Sequence, residues 1–122
     1  MPKTKYNPKI ELIKLKMKAT GDDFIPTQQR VYFNVSFPKE SKQSKDLGMY
    51  FSKDWSVGKV VDRIAQQGKI RNDNNTSTSE RLHLRLTDTD DDAFEFGITL
   101  KELIEAGKLE QGQRLTLERL SL

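Results

Sequence analysis

Residues 81–122 decide the fold class, because they place strand-like and helix-like runs in a definite order. The run Arg-Leu-His-Leu-Arg-Leu (81–86) is followed by an acidic turn and then by Phe-Glu-Phe (94–96). Thr-Leu-Lys-Glu-Leu-Ile (99–104) and Arg-Leu-Thr-Leu-Glu-Arg-Leu (114–120) complete the order. Leucine at every second position is the period of a strand with one buried face, and the threonine that opens 99–104 is a suitable helix N-cap. This part of the chain therefore predicts a strand, a short strand, one helical turn and a closing strand.

Two strands and a longer helix are predicted ahead of that segment. In residues 30–37 apolar and polar side chains alternate, and residues 47–52 return as a second strand after a polar, lysine-rich turn. At Ser56, a natural N-cap preceded by Trp55 as a hydrophobic staple, the apolar period becomes that of a helix, which we expect to end at Gly68. The side chains expected on the inward side of these elements are Val31, Phe33, Val35, Phe37, Met49, Phe51, Val57, Val60, Val61 and Ile64.

The predicted order of elements indicates an α+β fold of the β-grasp type. We expect a mixed sheet of about five strands crossed by one helix, with a short extension at the N-terminus. The predicted division of the chain is a basic extension or linker in residues 1–28 and one folded domain in residues 29–122.

The extension carries a charge surplus and an ambiguous apolar pattern. Six lysines precede Asp22, against one acidic residue, Glu11. We interpret this surplus as a solvated flank rather than a contact with nucleic acid or an anionic membrane, because arginine and stacking aromatic residues are scarce there. Residues 9–19 fit a helix, with Ile10, Ile13 and Met17 on one side, but alternate well enough for a strand. The Thr-Gly-Asp sequence that follows favours the helix, because its glycine is a suitable helix stop.

The sequence offers no recognisable catalytic, cofactor-binding or metal-binding group. It has no cysteine and one histidine, which excludes disulfides, thiolate chemistry and a Cys/His zinc site. That histidine, His83, lies between inward Leu82 and Leu84, so we expect it to face solvent. The acidic run at 88–92 lacks the glycine and glutamate that a calcium loop needs. We therefore expect a non-enzymatic protein without a cofactor, located in the cytoplasm or the nucleus.

Four segments, taken in order, resemble the C-terminal ubiquitin-like domain of AN1-type zinc-finger proteins linked to arsenite stress. They are IKLKMKATGD (13–22), FPKES (37–41), WSVGK (55–59) and RNDNN (71–75). The resemblance implies a non-catalytic adaptor that docks a zinc-finger protein onto the N-terminal domain of the valosin-containing AAA ATPase, the ubiquitin-selective segregase. That role belongs to ubiquitin–proteasome and arsenite-stress protein quality control. Association with proteasomes would need the zinc fingers, for which this sequence has no cysteines.

The resemblance also directs attention to the exposed face of the sheet. Many ubiquitin-like cofactors of that ATPase bind through a Phe-Pro-Arg loop, whereas this chain has Thr-Asp-Thr-Asp-Asp-Asp at 87–92. The register of ubiquitin, carried over, predicts that the polar residues facing outward on the third and last strands are His83, Arg85, Thr116 and Glu118. The candidate partner-binding residues on the sheet are Arg30, Tyr32, His83 and Arg85.

Two functions from different classes follow. The preferred interpretation is the monomeric adaptor, which needs neither nucleic acid nor a membrane. The alternative is a basic module whose N-terminal lysines bind RNA or an anionic membrane.

Overall fold

The computed structural model describes residues 7–43, 45–71, 80–87 and 92–121, without the side chains of residues 80, 120 and 121. Predicted features at residues 1–6 and 72–79, and most of the acidic run at 88–92, lie outside the described residues. The elements in chain order are α1 (Pro8–Lys18), a 3-10 turn (Thr27–Gln29), β1 (Arg30–Ser36), β2 (Leu47–Ser52), α2 (Val57–Gly68), β3 (Glu80–Leu86), α3 (Leu100–Glu105) and β4 (Arg114–Ser121).

The four strands form one mixed sheet in the order β2-β1-β4-β3. β1 runs antiparallel to β2 and parallel to β4, and β4 runs antiparallel to β3. A central pair of parallel strands flanked by two antiparallel neighbours, with the connecting helix α2 on one face, is the β-grasp architecture that the order of elements predicts.

The alternating pattern predicts the inward side of the sheet correctly. Phe33, Val35 and Phe51 are fully buried, as are Leu82 and Leu84 on β3. They pack with the apolar side of α2, and Trp55 lies half-buried at the margin of this main core, with its ring centroid 6.3 Å from that of Phe51. Trp55 is thus partly buried, as its predicted role as a hydrophobic staple requires.

The predicted short strand at Phe94–Phe96 is wrong, because the backbone of segment 92–98 bonds mainly to the start of α2 instead of pairing along the sheet. Phe94 N donates one hydrogen bond to Leu84 O, at 2.9 Å, beside β3. The segment then turns to α2, where Gly58 N donates to Phe96 O and Val57 N to Ile98 O, at 3.0 and 2.8 Å. The first N–H groups of a helix have no partner within the helix, so these carbonyls satisfy α2 instead of extending the sheet. The described sheet thus has four strands rather than five.

The two ends of α2 differ in how well the sequence predicts them. The Ser56 side chain accepts a hydrogen bond from Lys59 N at 3.2 Å, which confirms the predicted N-cap. The left-handed residue that ends the helix is Lys69, with φ 55°, not Gly68. Gly68 is the last helical residue, and a Cβ there would lie 2.6 Å from Ser41 Oγ and 2.7 Å from the ring of Phe37. Close packing against the 37–41 segment therefore explains this glycine.

Residues 8–18 form the helix that the sequence favours, but the side of it that packs on the sheet was not predicted. Leu15 is 3% exposed, whereas Ile10, Ile13 and Met17 are 52%, 65% and 82% exposed. Leu15 fits over Gly48 of β2, where a Cβ would approach its Cδ2 to 2.5 Å. The helix ends because Ala19 is extended, at φ −67° and ψ 148°, so the predicted glycine stop is not what terminates it.

The segment after α1 occupies the free edge of β2. Thr20 N donates to Gly48 O at 2.9 Å, and Tyr50 N donates to Thr20 O at 3.0 Å, as a neighbouring parallel strand would. An edge strand otherwise presents unpaired backbone groups on which another chain can pair. One residue of the N-terminal segment thus protects the middle of this edge.

Candidate functional site on the outer face of the sheet

The outer face, opposite α2, is divided into two halves by α1. The helix packs on β1 and β2, and Leu15 and Ile25 join Tyr32 and Tyr50 in a second buried cluster there. On the other half, four outward residues of β3 and β4 are half-exposed and lie side by side. We call these four residues the β3–β4 face; they are His83, Arg85, Thr116 and Glu118.

Two of the four candidate contacts lie on the covered half. Tyr32 points to the outer face as its alternation predicts, but it is 9% exposed, so the expectation that it is accessible on an open sheet is wrong. The reason is α1, whose Leu15 belongs to the same buried cluster. Arg30 is half-buried beside it: its Nε donates to Ile25 O at 2.8 Å, and its guanidinium carbon lies 4.4 Å from the centroid of the Tyr50 ring. Arg30 therefore holds the N-terminal segment to the sheet.

The other two candidates come together on the β3–β4 face. Antiparallel pairing sets His83 opposite Glu118 and Arg85 opposite Thr116, which confirms the outward register carried over from ubiquitin. Arg85 Nε donates to Glu118 Oε1 at 2.7 Å, and both side chains remain about 30% exposed. This diagonal ion pair was not predicted from the sequence, although the residue types and the register are sufficient to find it.

His83 is less accessible than its position between two inward leucines predicts. Its ring stacks on that of Phe96, with the centroids 5.2 Å apart and the planes inclined by 24°. Its Nε2 is buried and has no hydrogen-bond partner among the described residues. His83 thus lies on the outer face as predicted, but it is only half-exposed, because the 92–98 segment passes over this edge of the sheet on its way to α2.

The covered half also contains the described group with a displaced pKa. Burial raises the pKa of Tyr50 above the usual 10.0; Arg30 opposes this shift, and the hydrogen bond that Tyr50 donates to Asp23 adds to it. That bond joins Tyr50 Oη to Asp23 Oδ1 at 3.2 Å. The neutral phenol is thus one of the contacts that fix the N-terminal segment on β2.

The described residues place no three histidine, cysteine, aspartate or glutamate side chains where they could share a metal ion. An open groove of about 480 Å³ runs between α1 and the strands, and its lining mixes acids and bases: Glu11, Lys14, Leu15, Lys18, Asn34, Asp46, Leu47 and Gly48. In the described part of the chain, no helix has the length and apolar character needed to cross a membrane. The charged groups of the β3–β4 face, Arg85 and Glu118, are of the type that forms salt bridges and hydrogen bonds.

Residues 50–121 match the model of the family described as the ZFAND1-like ubiquitin-like domain. The chain belongs to this family. The resemblance found in the sequence is thereby confirmed, together with the fold class that it implied.

Two curated relatives of this ZFAND1-like ubiquitin-like domain are known by the name AN1-type zinc finger protein 1. The Mus musculus and Homo sapiens proteins are 47% and 45% identical to it over 76 residues, which is 62% of this chain. The chain spans 28% of the length of either relative.

A solved structure supports the fold independently. The crystal structure of ATG8 from Trypanosoma brucei superposes with a TM-score of 0.58 at 12% identity, covering 98% of this chain and 97% of that one. At such low identity the similarity shows the shared fold alone.

Proposed function

We propose that this ZFAND1-like ubiquitin-like domain is a non-catalytic protein-interaction module that docks a zinc-finger protein onto the valosin-containing AAA ATPase. The observation that carries the proposal is the β3–β4 face. It is polar and half-exposed, whereas the other half of the sheet's outer face, on β1 and β2, is covered by α1. Family membership supports the link to zinc-finger proteins, because the curated relatives carry that name. Their greater length supports a modular arrangement in which this domain is one part.

The chemistry of the face favours recognition through charge. Arg85 and Glu118 are paired, and Arg85 Nη1 also donates to Leu86 O, but both side chains remain about 30% exposed and can be reached by a partner. A partner surface with complementary charge would engage both ends of the pair, and a mismatched partner would be repelled. A polar and charged surface of this kind suits docking on one selective partner. It suits binding to general receptors that recognise apolar patches less well.

The test is a titration of the purified N-terminal domain of the ATPase against the 122-residue chain. We expect Arg85→Glu to weaken binding about tenfold or more, because it places a carboxylate where the partner meets a guanidinium. The substitution also leaves Glu118 facing a like charge, so the free energy of unfolding should fall by up to about 1 kcal/mol. Lys101→Glu on α3 makes the same change in net charge at an exposed position away from this face and should bind like the wild type.

A second variant separates binding from stability. Combining Arg85→Glu with Glu118→Arg restores an ion pair across the two strands but exchanges the positions of the two charges. We expect this double variant to recover the stability of the wild type and to remain defective in binding. Equal affinities for the wild type and both variants would remove the β3–β4 face from the site. Absence of binding by the wild type would overturn the proposed adaptor function for this domain.

A further inference from the structure

Helix α1 presents a second apolar row that the domain itself leaves exposed. Leu15 faces the sheet, while Ile10, Ile13 and Met17 recur at intervals of three and four residues on the opposite side. We call these three residues the α1 stripe. Their exposed fractions of 52%, 65% and 82% are high for large apolar side chains on a helix that already packs by its other face. The packing of α1 within this domain therefore does not account for the stripe.

Lysines border the stripe on both sides. At about 100° of rotation per residue, Lys9 and Lys16 lie along one side of the stripe and Lys14 and Lys18 along the other. All four are exposed. The helix has one acidic residue, Glu11, whose carboxylate lies 3.6 Å from Lys14 Nζ. An occupant of this surface must therefore be apolar along the middle and negatively charged on both flanks.

This pattern argues against two occupants. A second copy of the chain, laid stripe to stripe, would bring the two lysine borders together and repel. Single-stranded RNA is usually held by aromatic stacking and arginine, and α1 contains neither residue type.

We propose that the α1 stripe docks on the surface of an anionic phospholipid bilayer. An amphipathic helix that lies in the interface buries its apolar face below the headgroups and places its basic side chains at the level of the phosphates. The long lysine side chains on both flanks can reach one flat charged surface at the same time. Because Leu15 already seats α1 on β1 and β2, the helix is formed before it meets the lipid.

The stripe is short, so binding should depend on both components. Three side chains over two turns cover about 10 Å of helix, which allows shallow insertion rather than stable anchoring. Each lysine near an anionic surface adds electrostatic attraction, which added salt weakens. The proposal goes beyond the adaptor function, because it uses α1 and leaves the β3–β4 face free for a protein partner.

The experiment is sedimentation of the 122-residue chain with sucrose-loaded vesicles. One set contains phosphatidylcholine with about one third phosphatidylserine, and the other contains phosphatidylcholine alone. The stripe variant combines Ile10→Gln, Ile13→Gln and Met17→Gln, since glutamine maintains helix propensity while removing the apolar row. The charge variant combines Lys9→Ala and Lys16→Ala, and its matched control removes two exposed lysines elsewhere, Lys39→Ala with Lys101→Ala.

We expect the wild type and the matched control to sediment with the anionic vesicles, and both the stripe variant and the charge variant to bind about tenfold more weakly. Circular dichroism should show an unchanged helix content in all variants. Undiminished binding by the stripe variant would overturn the proposal, because the lysines alone would then account for the binding. In that case a competing RNA oligonucleotide should displace the protein from the vesicles. Equal binding to both vesicle sets, or no binding by the wild type, would overturn it as well.

Discussion

Tyr50 shows how one side chain joins the N-terminal segment to the sheet. Its hydroxyl donates to Asp23, its ring lies beneath the guanidinium of Arg30, and its ring centroid is 5.5 Å from that of Tyr32. Its backbone N–H donates to Thr20. Of these four contacts, two reach residues before β1, Thr20 and Asp23, and two reach residues of β1, Arg30 and Tyr32.

The raised pKa of Tyr50 leads to a prediction about stability at alkaline pH. Since the folded-state pKa lies above the usual 10.0, the unfolded chain releases this proton first as the pH rises. The contribution to the free energy of unfolding is therefore complete below about pH 10 and is lost as the pH rises through the folded-state pKa. Tyr50→Phe should lower the free energy of unfolding by about 0.5 to 1.5 kcal/mol near pH 8, because the hydrogen bond to Asp23 is lost. Above about pH 10 the free energy of unfolding of this variant should fall less steeply with pH than that of the wild type.

Urea unfolding of both proteins, between about pH 8 and pH 11, checks this prediction. Lysine titration is common to the wild type and the variant and cancels in the comparison. Parallel curves over the whole range would mean that the phenol ionises as easily in the folded chain as in the unfolded one.

At the scale of the element, the C-terminal end of α2 allows two neighbouring substitutions with opposite expected effects. Gly68→Ala should destabilise the domain by about 1 to 3 kcal/mol, because the added Cβ meets Ser41 and Phe37. Lys69→Gly should stabilise it by about 0.5 to 1 kcal/mol, because a left-handed φ of 55° suits glycine better than lysine. Thermal unfolding of both variants beside the wild type gives the two signs. Stabilisation by Gly68→Ala, as helix propensity alone predicts, would show that the 37–41 segment moves aside at little cost.

Elements whose pattern arises from their own burial were predictable from the sequence. Strands β1 and β2 and helix α2 are examples, because each has one side on the main core and a local period that records it. The prediction for segment 94–96 was wrong although its two phenylalanines alternate as in a strand. Its carbonyls instead accept hydrogen bonds from the first N–H groups of α2, which lies far away in the chain. A local pattern contains no information about such a distant acceptor requirement.

The covering of the β1–β2 half of the outer face by α1 could not be predicted, for a related reason. The row Ile10, Ile13 and Met17 satisfies helical spacing as well as the row Leu12, Leu15 and Ala19 does. The choice between them depends on Gly48, which leaves room above β2 for one leucine side chain. The outward direction of Tyr32, His83 and Arg85 followed from alternation, but their accessibility depended on which other segments lie over the sheet.

At the scale of the whole molecule, the question is whether α1 unfolds with the rest of the domain. The division at residues 28 and 29 stays a prediction. The second cluster contains Leu15 and Ile25 from before this division and Tyr32 and Tyr50 from after it. Strands β1 and β2 contribute opposite faces to the two clusters. Since loss of either strand removes one side of both clusters, we expect a single cooperative transition.

Substitutions in the two clusters test that expectation. Leu84→Ala, at a fully buried position of the main core, should lower the free energy of unfolding by about 2 to 5 kcal/mol. Leu15→Ala should lower the same transition by about 2 kcal/mol, near the lower end of the range for buried leucines, because the short helix can shift to fill part of the cavity. Met17→Ala, at a position 82% exposed on the same helix, should change it by less than about 0.5 kcal/mol.

Urea unfolding followed by Trp55 fluorescence reports the main core, and amide exchange reports α1. If Leu15→Ala releases the amides of α1 without moving the Trp55 transition, the extension is a separate unit and the division between residues 28 and 29 is real.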